Sequence, residues 1–168
     1  PILNAAASKE GREFAMRNAD YLFTPVFDFD QAKATATEIS QAAAVNNREV
    51  GVFTFCTVVC RPTMQEAEEY LDYYANQNAD WEAVDHLMKL QGMHAQSFTP
   101  EALGMFRDRF AAGHGGFPLV GTPEYIADQL EQLSAAGIAG TTLAFVDYSA
   151  EFPYFAEHVL PLLEKRGL

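Results

Sequence analysis

The run Val50-Gly51-Val52-Phe53-Thr54-Phe55-Cys56-Thr57-Val58-Val59-Cys60 constrains the fold of this chain more than any other stretch. Its residues are mostly β-branched or aromatic with little polar alternation, so it reads as a strand buried on both faces, as in a parallel sheet covered by helices. Parallel neighbours need long crossover connections. The flanking sequence supplies them. Pro1-Ile2-Leu3 begins a strand that passes through Ala5-Ala6-Ala7-Ser8 into a helix from Lys9 to about Asn18. Asp20 to Thr24 is a second, short strand stopped by Pro25, and a helix from Gln31 to about Val45 follows, closed by Asn46-Asn47. Beyond the long strand, Arg61-Pro62-Thr63 leads into helical segments at Met64 to about Asn78, Ala79 to about Gly92 and Pro100 to about Ala112. That is more than one crossover needs, and it reads as a helical insertion over about 64–112. Thr122, Pro123 and Glu124 form a helix start with N-cap, first-turn proline and first-turn acid, and Ile126, Leu130 and Leu133 supply its apolar stripe up to Gly137. Thr141 to Val146 is the fourth strand, and a last helix from Phe152 to about Lys165 is kinked by Pro161.

Strands alternating with helices predict an α/β fold with a parallel sheet and right-handed crossovers. Four such units are half of a (β/α)₈ barrel, so the expectation is one domain, a half barrel, over residues 1–168. A half barrel has two open edges and an uncovered inner face. It is therefore expected to pair with its other half or with itself, or to aggregate, rather than to persist as a monomer. The chain also starts on a strand and without a methionine, which suggests a portion of a longer protein.

The formal net charge of -12, from 23 acidic against 11 basic residues, argues against nucleic-acid binding. No apolar run has the length of a membrane span, and no basic region precedes an apolar stretch at the N-terminus, so a soluble, cytoplasmic protein is expected. Cys56 and Cys60, four apart in one strand, would lie about 13 Å apart, beyond disulfide reach. They read as reduced, buried thiols, and no histidine neighbours them to complete a metal site. Trp81, Val84, Leu87, Met88 and Leu90 suggest a broad apolar helix face, with His86 and His94 as surface or packing histidines.

Two stretches carry candidate chemistry. In Ala5-Ala6-Ala7-Ser8 the residues are small enough for backbone N–H groups to approach a phosphate at a helix N-terminus, with Ser8 offering a hydroxyl. The same residues also suit a close-packed turn that needs only a serine cap. In Ala111-Ala112-Gly113-His114-Gly115-Gly116-Phe117, three glycines surround a histidine, which suits either a mobile lid carrying His114 or a linker.

PILNAAASKEGREFAMRNADYLFTP resembles the fifth and sixth βα units of bacterial-luciferase-like, flavin-dependent monooxygenases. PLVGTPEYIADQLEQLSAAGIAGTTLAFVDY is similar to the seventh-loop helix and eighth strand of that family, and FAEHVLPLLEKRGL to its closing helix. The resemblance implies the C-terminal half of a TIM barrel with a helical insertion after the third strand of this chain. It also implies reduced FMN, delivered by a flavin reductase, which reacts with O₂ to oxygenate a small organic substrate. The family's phosphate-binding serine corresponds to Ser8 and the preceding small residue to Ala7. Many relatives carry a second serine or a glycine where this chain has Ala6-Ala7. The alternatives are a deazaflavin-dependent oxidoreductase of the same superfamily and a non-catalytic half barrel.

Overall fold

The computed structural model describes residues 1–93 and 99–168. The expected position of His94 lies outside the described residues. The chain begins with β1 (Leu3–Ala5), α1 (Lys9–Asn18), β2 (Tyr21–Phe23), α2 (Phe29–Ala44) and β3 (Gly51–Cys60). The helices α3 (Met64–Asp72), α4 (Trp81–Leu90) and α5 (Pro100–Gly113) follow, with a π-helical turn at Tyr73–Gln77 directly after α3. β4 (Phe117–Gly121), α6 (Pro123–Ala135), β5 (Ile138–Ala144), α7 (Tyr148–His158) and α8 (Leu160–Arg166) complete it.

Every pairing in the sheet is parallel, as expected for strands joined by helices. β3 is its centre. Val52 and Phe53 pair with Leu22 and Phe23 on one side and with Ile138 and Gly140 on the other. Cys56 and Thr57 pair with Phe117 and Pro118 as well as with Leu143 and Ala144. β2 and β4 therefore share one edge of β3, end to end, while β5 occupies the opposite edge. Four strands in the order β1, β2, β3, β5 form the expected run of a partial barrel.

The strand β4 is a correction to the sequence reading, which expected four strands. Thr24 gives its N–H to the carbonyl of Phe53, and then Pro25, which has no N–H, ends the ladder. The upper edge of β3 would be left unpaired there, and β4 fills it. A five-residue run containing Pro118 argues against a strand by composition, but Pro118 is exposed and β4 is an edge strand, where proline is tolerated. The last strand also starts earlier than expected, at Ile138, directly after Gly137, whose φ of +94° ends the preceding helix. Tyr148, not Phe152, begins the last helical region, and it divides in two at Val159, with Pro161 in the first turn of α8.

The core lies between the sheet and its covering helices. Leu22, Val52, Cys56 and Val58 face Ala32 and Ile39 of α2 and Ile126 and Leu133 of α6, in one cluster of buried residues. The other face carries Tyr21, Phe23, Phe53 and Phe55, paired as Tyr21 with Phe53 (centroids 4.8 Å) and Phe23 with Phe55 (6.0 Å). All four of these aromatics are only partly buried. The expectation that Val52 to Val59 is buried on both faces thus holds in the upper half, Cys56 to Val59, and fails below it. The physical reason is that α5 and its glycine turn cover the inner face only at the top of β3, leaving Phe53 and Phe55 without a full second layer.

The insertion has a small core of its own, Val84, Met88 and Phe106, with Trp81 and Phe27 packed against it. Leu87 and Leu90, expected on the apolar face, are instead 39% and 69% exposed. His86 is exposed. Cys56 and Cys60 are free and buried, and burial pushes both thiols up to about 11.

Candidate active site

The parallel arrangement puts the carboxyl ends of β1, β2 and β3 on one side of the sheet, where the loops that follow them meet. A cleft of about 260 Å³ opens there. Ala7 comes from the turn after β1, Pro25 and Phe27 from the loop after β2, and Phe55 from β3 itself. Gln91 and Met93 follow α4, and Phe110, His114 and Gly115 belong to the end of α5. Ala7 and His114, distant in sequence, line the same cleft.

The turn after β1 is built by close packing. Ser8 caps α1, its Oγ accepting the N–H of Gly11 at 3.1 Å. A β-carbon on Gly11 would stand 2.6 Å from Cβ of Ala6 and 3.3 Å from the Ser8 Oγ, so only glycine fits under the turn. The structural reading of these small residues, close packing plus a serine cap, is thus realised. The Ser8 hydroxyl uses a lone pair in the cap, which leaves its proton free to donate. The N–H groups of Lys9 and Glu10, in the first turn of α1, have no intrahelical acceptor, and the positive end of the helix dipole adds to them. Ser8 and Ala7 are both exposed, and Ala7 lines the cleft.

The glycine-rich stretch around His114 has a more definite form than a linker. His114 is the C-cap of α5 in the left-handed region (φ 55°), its N–H directed to the carbonyls of Arg109 and Phe110. The N–H of Gly115 goes to Arg109 as well, at 3.0 Å. Gly113 and Gly116 lie flat on β3, where a β-carbon on Gly116 would stand 2.7 Å from Oγ1 of Thr57 and one on Gly113 would overlap the Thr57 methyl. These glycines are required by close approach to the sheet. The imidazole of His114 is exposed, 5.4 Å from the Phe110 ring and with Nε2 3.3 Å from Nε2 of Gln91.

Two groups of residues that brace the cleft have no motif that marks them in the sequence. Arg109 gives an Nη2 hydrogen to the carbonyl of Phe27 at 2.8 Å and so ties α5 to the loop after β2, while its Nη1 is buried without a partner among the described residues. Desolvation lowers the Arg109 pKa. At the tops of β3 and β5, Arg61 donates to Oε1 of Glu151 at 2.6 Å and to its neighbour's carbonyl, Cys60, at 2.8 Å. The other oxygen of Glu151 accepts the N–H of Asp147 at 2.9 Å, so this carboxylate, only 7% exposed, joins the end of β3 to the start of α7. The Arg61 guanidinium lies 4.0 Å over the ring of Tyr70. A single Arg directly after a strand was the only sequence signal, and its partner lies ninety positions away.

Among the described residues no helix is long and apolar enough to cross a membrane. The sequence profile of luciferase-like monooxygenases matches residues 1–140. An FMNH(2)-dependent dimethylsulfone monooxygenase of Pseudomonas fluorescens is 30% identical over 175 residues, which cover 98% of this chain and 46% of that protein. The crystal structure of DmoA from Hyphomicrobium sulfonivorans superposes with a TM-score of 0.82 at 24% identity, over 98% of this chain and 41% of that one. That of long-chain alkane monooxygenase (LadA) gives 0.77 at 28% identity, over 99% and 41%. The chain thus spans less than half the length of these relatives. With that profile covering most of its length and a parallel sheet as expected, the chain belongs to the luciferase-like monooxygenase family.

Proposed function

We propose that this chain supplies about half of the active site of a flavin-dependent monooxygenase, which uses reduced FMN and O₂ to oxygenate a small organic substrate. The observation that carries this reading is that the Ala7-Ser8 turn and the His114 corner line or adjoin one apolar cleft at the carboxyl ends of parallel strands, where ligands of such sheets bind. The residues fit the cofactor. The Ser8 hydroxyl proton, which the cap does not use, and the first-turn N–H groups of Lys9 and Glu10, which have no intrahelical acceptor, suit a phosphate. When bound, reduced FMN supplies the electrons that activate O₂.

The chain's own residues have three tasks in this reading. Ser8, with the start of α1, holds the phosphate. Phe27, Phe55 and Phe110 exclude water from the ring system. His114 and Gln91, the polar pair of the cleft, orient the substrate.

The complementary βα units would close the barrel against the free edges of β1 and β5 and cover Tyr21, Phe23, Phe53 and Phe55. An apolar groove of about 340 Å³ along β5, between α6 and α8, offers Leu130, Leu143 and Leu163 to that partner. In this reading residues 1–168 act as one unit, with the insertion over about 64–112 shaping the mouth. A cytoplasmic flavin reductase provides the reduced cofactor.

The test is a titration of FMN, and separately of a deazaflavin, into the chain combined with the N-terminal half of a family barrel. Tight FMN binding with oxygenation of a sulfone, sulfide or alkane panel is the expected result. Preference for the deazaflavin would move the chain to the oxidoreductase alternative. A closed barrel that binds neither would make it a non-catalytic assembly unit.

A further inference from the structure

The hydroxyl of Tyr74 donates to the carbonyl of Ala112 at 2.9 Å. That carbonyl belongs to the last turn of α5, where the helix provides no donor. Other carbonyls of this turn are already served. Arg109 and Phe110 accept from the His114 corner, and Gly113 accepts from Gly116 at 3.2 Å. Tyr74 therefore takes a backbone group the corner leaves open, two residues before His114.

Tyr74 sits in the π-helical turn Tyr73–Gln77, a rare geometry that concentrates at functional sites. Its ring contacts Tyr70 (centroids 5.3 Å), and Tyr70 carries the Arg61 guanidinium that Glu151 holds. A continuous chain of contacts thus runs from the start of α7, through Glu151, Arg61, Tyr70 and Tyr74, to the end of α5. Burial, with Glu151 and Tyr70 adding smaller effects in the same direction, pushes the Tyr74 phenol up to about 12, so it remains a donor throughout the neutral range.

We propose that Tyr74 is a positioning residue that aims His114 into the cleft, fixing the last turn of α5 through the Ala112 carbonyl. Glu151, Arg61 and Tyr70 in turn hold Tyr74 in place. The use of His114 toward a flavin-site substrate rests on the function proposed above, but the positioning does not.

The experiment is ¹H–¹⁵N spectroscopy of the histidine rings, together with amide exchange, in the completed barrel without flavin. Tyr74→Phe removes only the hydroxyl. It should shift the His114 ring resonances and raise amide exchange at Gly115 and Gly116 about fivefold to tenfold, as for one lost hydrogen bond. Tyr73→Phe, at a 57% exposed neighbour, should do neither. Glu151→Gln, which keeps an acceptor for Asp147, should move the same resonances by less. Unchanged His114 resonances and exchange in Tyr74→Phe would overturn the proposal. A separate FMN titration of the unmutated barrel tests the cofactor reading, and its failure would leave the resonance result decisive for Tyr74.

Discussion

Gly113 rests on Thr57 with no room for a β-carbon, its φ at +154°. Through this contact the end of α5 lies on the upper inner face of β3, and His114 is carried to the mouth of the sheet.

The first prediction follows from that contact. Gly113→Ala should destabilise the fold by about 3 kcal/mol, combining overpacking with an unfavourable backbone. Gly104→Ala, in the same helix but with open space around it, should instead stabilise by about 0.5 to 1 kcal/mol. Urea denaturation of the two variants checks this, and equal effects would mean that the glycine turn is not packed as described.

Ser8 separates a structural cap from a phosphate ligand. Ser8→Ala should weaken FMN by about 1 to 3 kcal/mol, the range for hydrogen bonds to charged groups. Ser8→Asp should preserve α1, since aspartate caps equally well, yet weaken FMN further by setting a carboxylate against the phosphate. Titration and melting of both variants are the measurements. Unchanged affinity in Ser8→Asp would place the phosphate elsewhere.

The Arg61–Glu151 pair is predicted to hold the top of β3 to the start of α7. Its side chains are 23% and 6% exposed, so Glu151→Ala leaves Arg61 facing a dry gap and frees the N–H of Asp147. A loss of about 3 kcal/mol is expected, with Glu151→Gln costing less. A loss below about 0.5 kcal/mol, the level of exposed pairs, would show the pair to be solvated.

The two thiols give a pH dependence. Burial raises both from 9.0 to about 11, so the folded state favours the protonated form. The associated stability is complete below pH 9 and is lost as pH rises through 9 to 11, because the unfolded chain releases these protons first. Iodoacetamide at pH 8 should label neither cysteine until denaturant is added. Rapid labelling of the native chain would contradict the burial.

The parallel α/β class was legible in the sequence because it depends on local patterns: an unbroken apolar run at Val52 to Val59, a serine, threonine or aspartate before each helix, and proline or glycine at the ends. Ser8 and Thr122 cap the helices their positions suggested. The close-packed, serine-capped turn was legible for the same reason, since Ala6, Ser8 and Gly11 interact within six residues. What the sequence did not disclose depends on contacts between distant segments. β4 exists because Pro25 leaves an edge of β3 open, a vacancy made ninety residues earlier in the chain. The close contacts of Gly113 and Gly116 with Thr57 and Phe55 have no signal in the sequence. Tyr74 and Ala112, and Arg61 and Glu151, meet only because the parallel sheet brings the ends of its strands to one side. Side-chain pairing across such distances has no period or spacing, so tertiary structure alone decided the shape of the cleft and the bracing of its histidine.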